Sequence, residues 1–171
     1  MTGEDLAGAA AVHRLAFPRQ RHSREWLQCC LNGGPRFLNF VALRQGEIVG
    51  YIVWGQKSGF RPEAVIELEQ IAVRPVVQGQ GIGRLLIERS LPLVNSELAR
   101  QGSVVRHILV TTRNDNFAQE LYQKVLGARV EATIANLYSA DEVIMVARNV
   151  TLPDRVGVSA RRVDEEGETE K

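Results

Sequence analysis

Three glycines alternate with other residues in Gln78-Gly79-Gln80-Gly81-Ile82-Gly83-Arg84, between a strand-like run and a helical pattern. Glycine admits positive φ and lets a ligand approach the backbone closely. The uncommitted N–H groups of a first helical turn favour an anion, so the segment reads as a phosphate cradle. Two familiar nucleotide motifs do not fit it. A P-loop needs Gly-Lys-Ser/Thr where this chain has Gly83-Arg84-Leu85. The dinucleotide fingerprint G-x-G-x-x-G is one residue longer than Gly79-x-Gly81-x-Gly83, and the expected acidic strand end about 20 residues on falls in a helical stretch. Upstream, Glu67 and Glu69 are two apart on a strand, hence on one face with Cα atoms about 7 Å apart. Mutual repulsion and partial desolvation would lift one carboxyl towards neutrality, which suits a general base. Tyr122 lies on the helix row Ala118, Tyr122, Leu126, beside the more apolar row Phe117, Leu121, Val125, placing its hydroxyl at the edge of a buried face. The adjacent Cys29 and Cys30 have no metal-ligand spacing. Neighbours on a helix diverge by about 100°, so one is expected in the core and the other near its edge.

The elements that position these residues follow from period and punctuation. Leu6, Ala9, Ala10, His13 and Phe17 give a short amphipathic helix closed by Pro18, and Ser23 starts a second that Asn32-Gly33-Gly34-Pro35 stops. Two β-rich runs, Phe37–Leu43 and Ile48–Trp54, flank the hairpin-length Arg44-Gln45-Gly46-Glu47, and a third runs from Glu63 to Val73. After the glycines, a helix to about Arg100 carries Pro92, where a kink is expected. A strand Val104–Thr112, a helix Phe117–Leu126 ended by Gly127, and strands Arg129–Ile134 and Glu142–Ala147 complete the pattern. The order ααβββαβαββ predicts a single layered α/β domain over residues 1–149, with a mixed sheet flanked by helices. Residues 150–171, with a dense acidic cluster near the end, read as a mobile tail.

The chain has 171 residues, 44% hydrophobic and 24% charged, and its 21 basic and 20 acidic residues leave a net charge of +1. This excludes disordered, collagen-like and disulfide-stapled classes and offers no basic excess for nucleic acid. No apolar run approaches the roughly 18 residues of a membrane span, so no membrane partner is expected. Met1-Thr2-Gly3-Glu4-Asp5 does not look like a signal peptide, and a cytoplasmic location follows as an expectation. No metal is expected. Arginine outweighs Lys57, Lys124 and Lys171, a usage associated with bacterial sources.

Gln78-x-x-Gly81-x-Gly83, following Glu67-Leu68-Glu69-Gln70-Ile71-Ala72-Val73, resembles the acyl-CoA-binding motif of the GCN5-related N-acetyltransferases, the GNAT superfamily. A second block, Asn116-Phe117-Ala118-Gln119-Glu120-Leu121-Tyr122-Gln123-Lys124 with Leu126-Gly127-Ala128, resembles the same family at the expected separation. The resemblance covers roughly residues 1 to 149 and implies the GNAT fold, a mixed, mostly antiparallel sheet with helices on both faces. It implies acetyl-CoA as cosubstrate. Gln78, Gly79, Gln80, Gly81, Ile82, Gly83 and Arg84 would wrap the pyrophosphate, and Ile71, Ala72 and Val73 would hold the pantetheine on a strand splayed from its neighbour. Glu67 falls where several members carry a catalytic glutamate, although Glu69 or a water relay remains open as the base. Tyr122 would donate a proton or hydrogen bond to the CoA sulfur. Asp115 occupies the place of the family's CoA-contacting asparagine, so Asn116 or Asn114 would take that contact after a one-residue shift.

The expected function is transfer of acetyl from acetyl-CoA to a primary amine of a small molecule or peptide, by direct attack in a ternary complex. Ala16-Phe17-Pro18, Leu38-Asn39-Phe40 and Asn136-Leu137-Tyr138 resemble bacterial ribosomal-protein alanine N-acetyltransferases, which keeps protein N-terminal acetylation as an alternative. Against it, Val110 and Thr111 stand where those enzymes carry an acid. A non-catalytic acyl-CoA-binding module and an unrelated phosphate binder are the other readings. Tyr138 and Trp54 are candidates to line the acceptor pocket, and the family resemblance allows a homodimer.

Overall fold

The computed structural model describes residues 1–152 and 162–164. Helices α1 (Leu6–Ala16) and α2 (Ser23–Asn32) lead into strands β1 (Phe37–Arg44), β2 (Glu47–Gln56) and β3 (Glu63–Val73). Helix α3 (Ile82–Arg100), β4 (Val104–Arg113), α4 (Ala118–Leu126), β5 (Arg129–Ile134) and β6 (Glu142–Arg148) follow, with a three-residue β7 (Arg162–Asp164). All the elements read from the sequence are present within a residue or two of their expected ends. Helix α3 runs through Pro92, and Ser96 Oγ donates to the Pro92 carbonyl at 3.0 Å.

The strands form one sheet in the order β5-β6-β4-β3-β2-β1-β7. Pairing is antiparallel except for β3 with β4 and β1 with β7. Hairpin β1–β2 closes over Gln45 and Gly46, both at positive φ, the two-residue loop that matches strand twist. The tail expected beyond residue 149 lies largely outside the described residues. Within it, Val150 donates its N–H to the Arg106 carbonyl, Leu152 packs against the core, and residues 162–164 extend the sheet beside β1.

Alternation along the strands sends two sets of apolar side chains to opposite faces, and each set is buried against helices. On one face, Ile52, Trp54, Ile66, Leu68, Ile108, Val110 and Met145 pack under Leu86, Ile87 and Leu98 of α3, and Tyr122 of α4 joins them. On the other, Val41, Tyr51, Val53 and Ala72 pack under Leu6, Val12 and Leu27 of α1 and α2. These two helices rest on β1, β2 and β3.

Two irregularities shape the middle of the sheet. The β2–β3 register places Val53 opposite Gln70 but Trp54 opposite Leu68, so Glu69 is a bulge residue with no partner on β2. Bulges add twist and re-aim side chains. The β3–β4 pairing stops at Glu67 opposite Leu109. Beyond that point β3 continues beside β2 to Val73, and β4 continues beside β6 to Arg113. The two central strands therefore part, leaving a wedge in the sheet that opens towards the glycine turn.

Candidate active site

At the end of β3 the chain makes a short 3-10 turn over Pro75–Val77 before α3 begins. Gln78 Nε2 donates back to the Val73 carbonyl at 3.0 Å, folding the turn onto the strand end. Gly79 (φ 76°) and Gly81 (φ 84°) adopt the left-handed conformation that other residues take at a cost. A Cβ at either position would meet open space, so a ligand can approach both. Gly81 is the N-cap of α3 and supplies no side-chain cap. The first N–H groups of a 19-residue helix are thus left for an anion. Gln80 and Arg84 are tied down at the rim, Gln80 by Arg44 at 2.6 Å and Arg84 by Glu88 at 2.8 Å. This turn fits a pyrophosphate, and the wedge below it leaves Ile71, Ala72 and Val73 of β3 without β4 beside them. Ile71 and Val73 are half-buried towards the α3 side.

The carboxylate pair sits where the strands part. Glu67 is buried, with Oε2 at 2.6 Å from Lys57 Nζ and Oε1 accepting from the Thr111 hydroxyl at 3.2 Å. Glu69 is half-buried. Burial raises its pKa above the ordinary glutamate value and the Glu67 charge raises it further, while Lys57 and Arg36 oppose the rise. One carboxylate is therefore held by a cation and the other is drawn towards protonation. Lys57 and Thr111 were not singled out by the sequence pattern. Lys57 stands in a polar connection, and only the folded register brings Thr111 beside Glu67.

Tyr122 is 4% exposed, and burial pushes its hydroxyl up to about 12. It stays protonated at neutral pH and is available as a donor. Its carbonyl accepts from Ala128 N–H as α4 ends at Gly127. Leu121, one residue before it, lies close to Gly83, which seats α4 against the first turn of α3. Phe117 departs from the expected apolar row. It is 81% exposed because α4 starts one residue later and leaves it outside the packed face.

Asn116 caps that helix: Oδ1 accepts from Ala118 N–H at 3.0 Å and Nδ2 donates to Thr112 Oγ1 at 2.8 Å. Asp115 is held by Arg113 through both carboxylate oxygens. Asn114 is exposed. Of the aromatics expected at an acceptor pocket, Trp54 is instead a core residue, buried on the α3 side with Nε1 bonded to Ser90 Oγ at 2.8 Å. Its register opposite Leu68 turns it away from the carboxylates. Tyr138 is exposed on the β5–β6 loop.

Gln70, also unmarked in the sequence, organises the α1–α2 side of the wedge. Its Oε1 accepts from Tyr51 Oη at 2.6 Å and from Trp26 Nε1 at 3.1 Å, and its Nε2 donates to Gln20 Oε1 at 3.2 Å. One strand residue thus fastens α2 and the α1–α2 loop to β3. From the same loop, Arg19 reaches across to Ser139 on the β5–β6 loop at 2.9 Å. Cys30 is buried with its thiol pushed up to about 11, chiefly by burial, and Cys29 is exposed. Among the described residues no group of His, Cys, Asp or Glu is placed to hold a metal ion, and no helix is long and apolar enough to cross a membrane.

Comparison with known proteins gives the arrangement its relatives. No curated protein sequence matches the chain. Among solved structures, the ribosomal-protein-S18-alanine N-acetyltransferase from Escherichia coli is similar, with 24% identity over 92% of this chain and 96% of that one, at a TM-score of 0.68. An aminoglycoside 6'-N-acetyltransferase complexed with coenzyme A has 18% identity over 90% and 95% of the two chains, also at 0.68. The aminoglycoside 6'-N-acetyltransferase from Enterococcus faecium has 18% identity, the same coverage and a TM-score of 0.69. At these identities the likeness is one of fold. The acetyltransferase (GNAT) family model matches residues 7–128. That stretch takes in the carboxylate pair, the glycine turn and Tyr122 together, and by it the chain belongs to the GNAT acetyltransferase family.

Proposed function

We propose that the protein transfers acetyl from acetyl-CoA to a primary amine by direct attack within a ternary complex. The observation that carries this reading is the parting of β3 from β4 at Glu67 and Leu109, directly below the uncapped start of α3. The wedge offers strand backbone to an extended amide-bearing arm such as pantetheine, and the turn from Gln78 to Arg84 offers N–H groups to a pyrophosphate. Ile71, Ala72 and Val73 line the arm. The Asn116 amide, bonded to Thr112 and α4, keeps a second Nδ2 hydrogen and a second Oδ1 lone pair with which to meet CoA.

An ammonium cannot attack a thioester, so the acceptor must first lose a proton. Glu69, whose proton affinity is raised, takes it directly or through water, while Glu67, fixed by Lys57 and Thr111, holds the head group in place. The amine nitrogen then bonds the acetyl carbon as the carbon–sulfur bond breaks. The departing sulfur takes its proton from the Tyr122 hydroxyl, the second amine proton passes through solvent to restore the tyrosine, and Glu69 returns the first to solvent. No acceptor is named by the fold, since structures of similar fold include a ribosomal-protein-S18-alanine N-acetyltransferase and aminoglycoside N-acetyltransferases.

Thermal unfolding with and without acetyl-CoA, with ATP and NAD as controls, tests the reading. At about 100 times Kd the stabilisation is about 2.7 kcal/mol, a rise in Tm of roughly 5–11 °C for a domain of this size. A rise with acetyl-CoA but not with the nucleotides is the expected outcome. Equal shifts with ATP, or none with acetyl-CoA, would overturn it.

A further inference from the structure

Helices α1 and α2 rest on β1, β2 and β3, and among the described residues no helix lies on the same face of the sheet beyond β3. On β4, Ile108 and Val110 point into the α3-side core, so Leu109 and Thr111 point to the bare face. On β6, Val143, Met145 and Ala147 point to the core, so Ile144 and Val146 face the other way. Leu109, Ile144 and Val146 are half-buried, yet they belong to neither apolar core. Register makes them neighbours: Val146 is opposite Leu109, and Ile144 is opposite Thr111. The same row continues to the site, because Leu109 is opposite Glu67 and the Thr111 hydroxyl bonds the Glu67 carboxylate.

Building on the acetyltransferase reading above, we propose that the acceptor is a primary amine carried on a compact apolar body, which lies on Leu109, Ile144 and Val146 with its amine at Glu67 and Glu69. The patch spans two strands and two residues along each, about 5 by 7 Å. That is the footprint of one aromatic ring or a short alkyl chain. It is far below the roughly 800 Å² per partner of a stable dimer, which argues for a small molecule over a second copy. The ionisable groups beside the apolar floor on β3 are Glu67, already engaged by Lys57, and Glu69, whereas across the floor Arg129 stands opposite Val146, and Arg148, paired with Glu131, stands opposite His107; an incoming ammonium is therefore directed to the β3 side. The Arg19–Ser139 bond joins the α1–α2 and β5–β6 loops at the glycine-turn end of this face, which limits the height of what lies beneath. A polycationic or polyhydroxylated acceptor would have to strip water from polar groups against an apolar floor, an uncompensated cost.

The test is a steady-state panel with acetyl-CoA and four amines: 2-phenylethylamine, hexylamine, putrescine and kanamycin. The native chain is compared with the double variant Ile144→Thr, Val146→Thr, chosen because threonine suits strands and keeps the shape of valine. A second variant, Leu109→Thr, guards against a folding defect in the first. We expect kcat/KM at least 10-fold higher for the two apolar amines. The variants should raise KM for 2-phenylethylamine 5-fold or more, leaving kcat and the acetyl-CoA thermal shift within twofold. Putrescine or kanamycin used as well as the apolar amines overturns the proposal and leaves the acetyltransferase reading standing. So does an unchanged KM, or a loss of dimer in the variants, which would give the face to a second copy. Absence of turnover on every amine with the acetyl-CoA shift retained overturns this proposal alone; no acetyl-CoA shift overturns the parent reading and this one with it.

Discussion

Tyr122 and Glu69 illustrate opposite uses of burial. Both pKa values rise because a charged form would be desolvated. On the proposed mechanism this keeps a proton on the tyrosine for a leaving sulfur, whereas for the glutamate it strengthens a base. Tyr122→Phe is expected to lower kcat on the order of 100-fold, the scale of a lost general acid, with the acetyl-CoA thermal shift retained; unchanged kcat would remove the assignment. Glu69 carries a stability signature as well. Its folded-state pKa is raised, so its contribution to stability is complete below its ordinary value of 4.5 and is lost as pH rises through the elevated folded-state value. At pH 7 the ionised group is a burden. Glu69→Gln should therefore raise Tm at pH 7, lose that advantage near pH 4, and lower kcat/KM for the acceptor. A variant without the Tm gain at pH 7 would show that Glu69 is solvated in the folded chain.

At the scale of elements, the glycine turn and the α1–α2 anchorage make separable predictions because they serve opposite sides of the wedge. Gly81→Ala forces a side chain into a left-handed N-cap at about 1–2 kcal/mol. It should lower Tm by roughly 2–8 °C and shrink the acetyl-CoA shift. Gln70→Leu strips partners from Tyr51, Trp26 and Gln20 at about 0.5–1.5 kcal/mol each. It should raise acceptor KM and leave acetyl-CoA binding nearly intact; an equal loss of both would mean that the loop reaches the cosubstrate. The elements themselves were legible, since periodicity and punctuation mark each helix and strand from α1 to β6. The tyrosine, the carboxylates and the cradle were legible as residue types at telling spacings. What the sequence concealed is pairing. Nothing in Glu67-Leu68-Glu69-Gln70 signals that Glu69 bulges or that β4 leaves β3 at Glu67, because both depend on neighbouring strands distant in sequence. Lys57, Thr111 and Gln70 were overlooked for the same reason. Trp54 was misplaced because alternation gives two faces without saying which faces the substrate.

At the scale of the molecule, and among the described residues, helices cover one face of the sheet through α3 and α4, but the other face only as far as β3. The asymmetry divides the labour. The fully packed half holds α3 and α4 rigidly against each other, and with them the cradle and Tyr122. On the proposed reading, the half-covered side would keep a surface next to the carboxylates on which acceptor preference can change without disturbing either core. The wedge has a consequence of its own. A sheet that divides in its interior possesses four margins instead of two, and the inner pair carries backbone groups that only an extended guest can satisfy. On the proposed reading, an arm threaded between them would act as a temporary strand, carrying the β3–β4 junction past Glu67 only while the cosubstrate is bound.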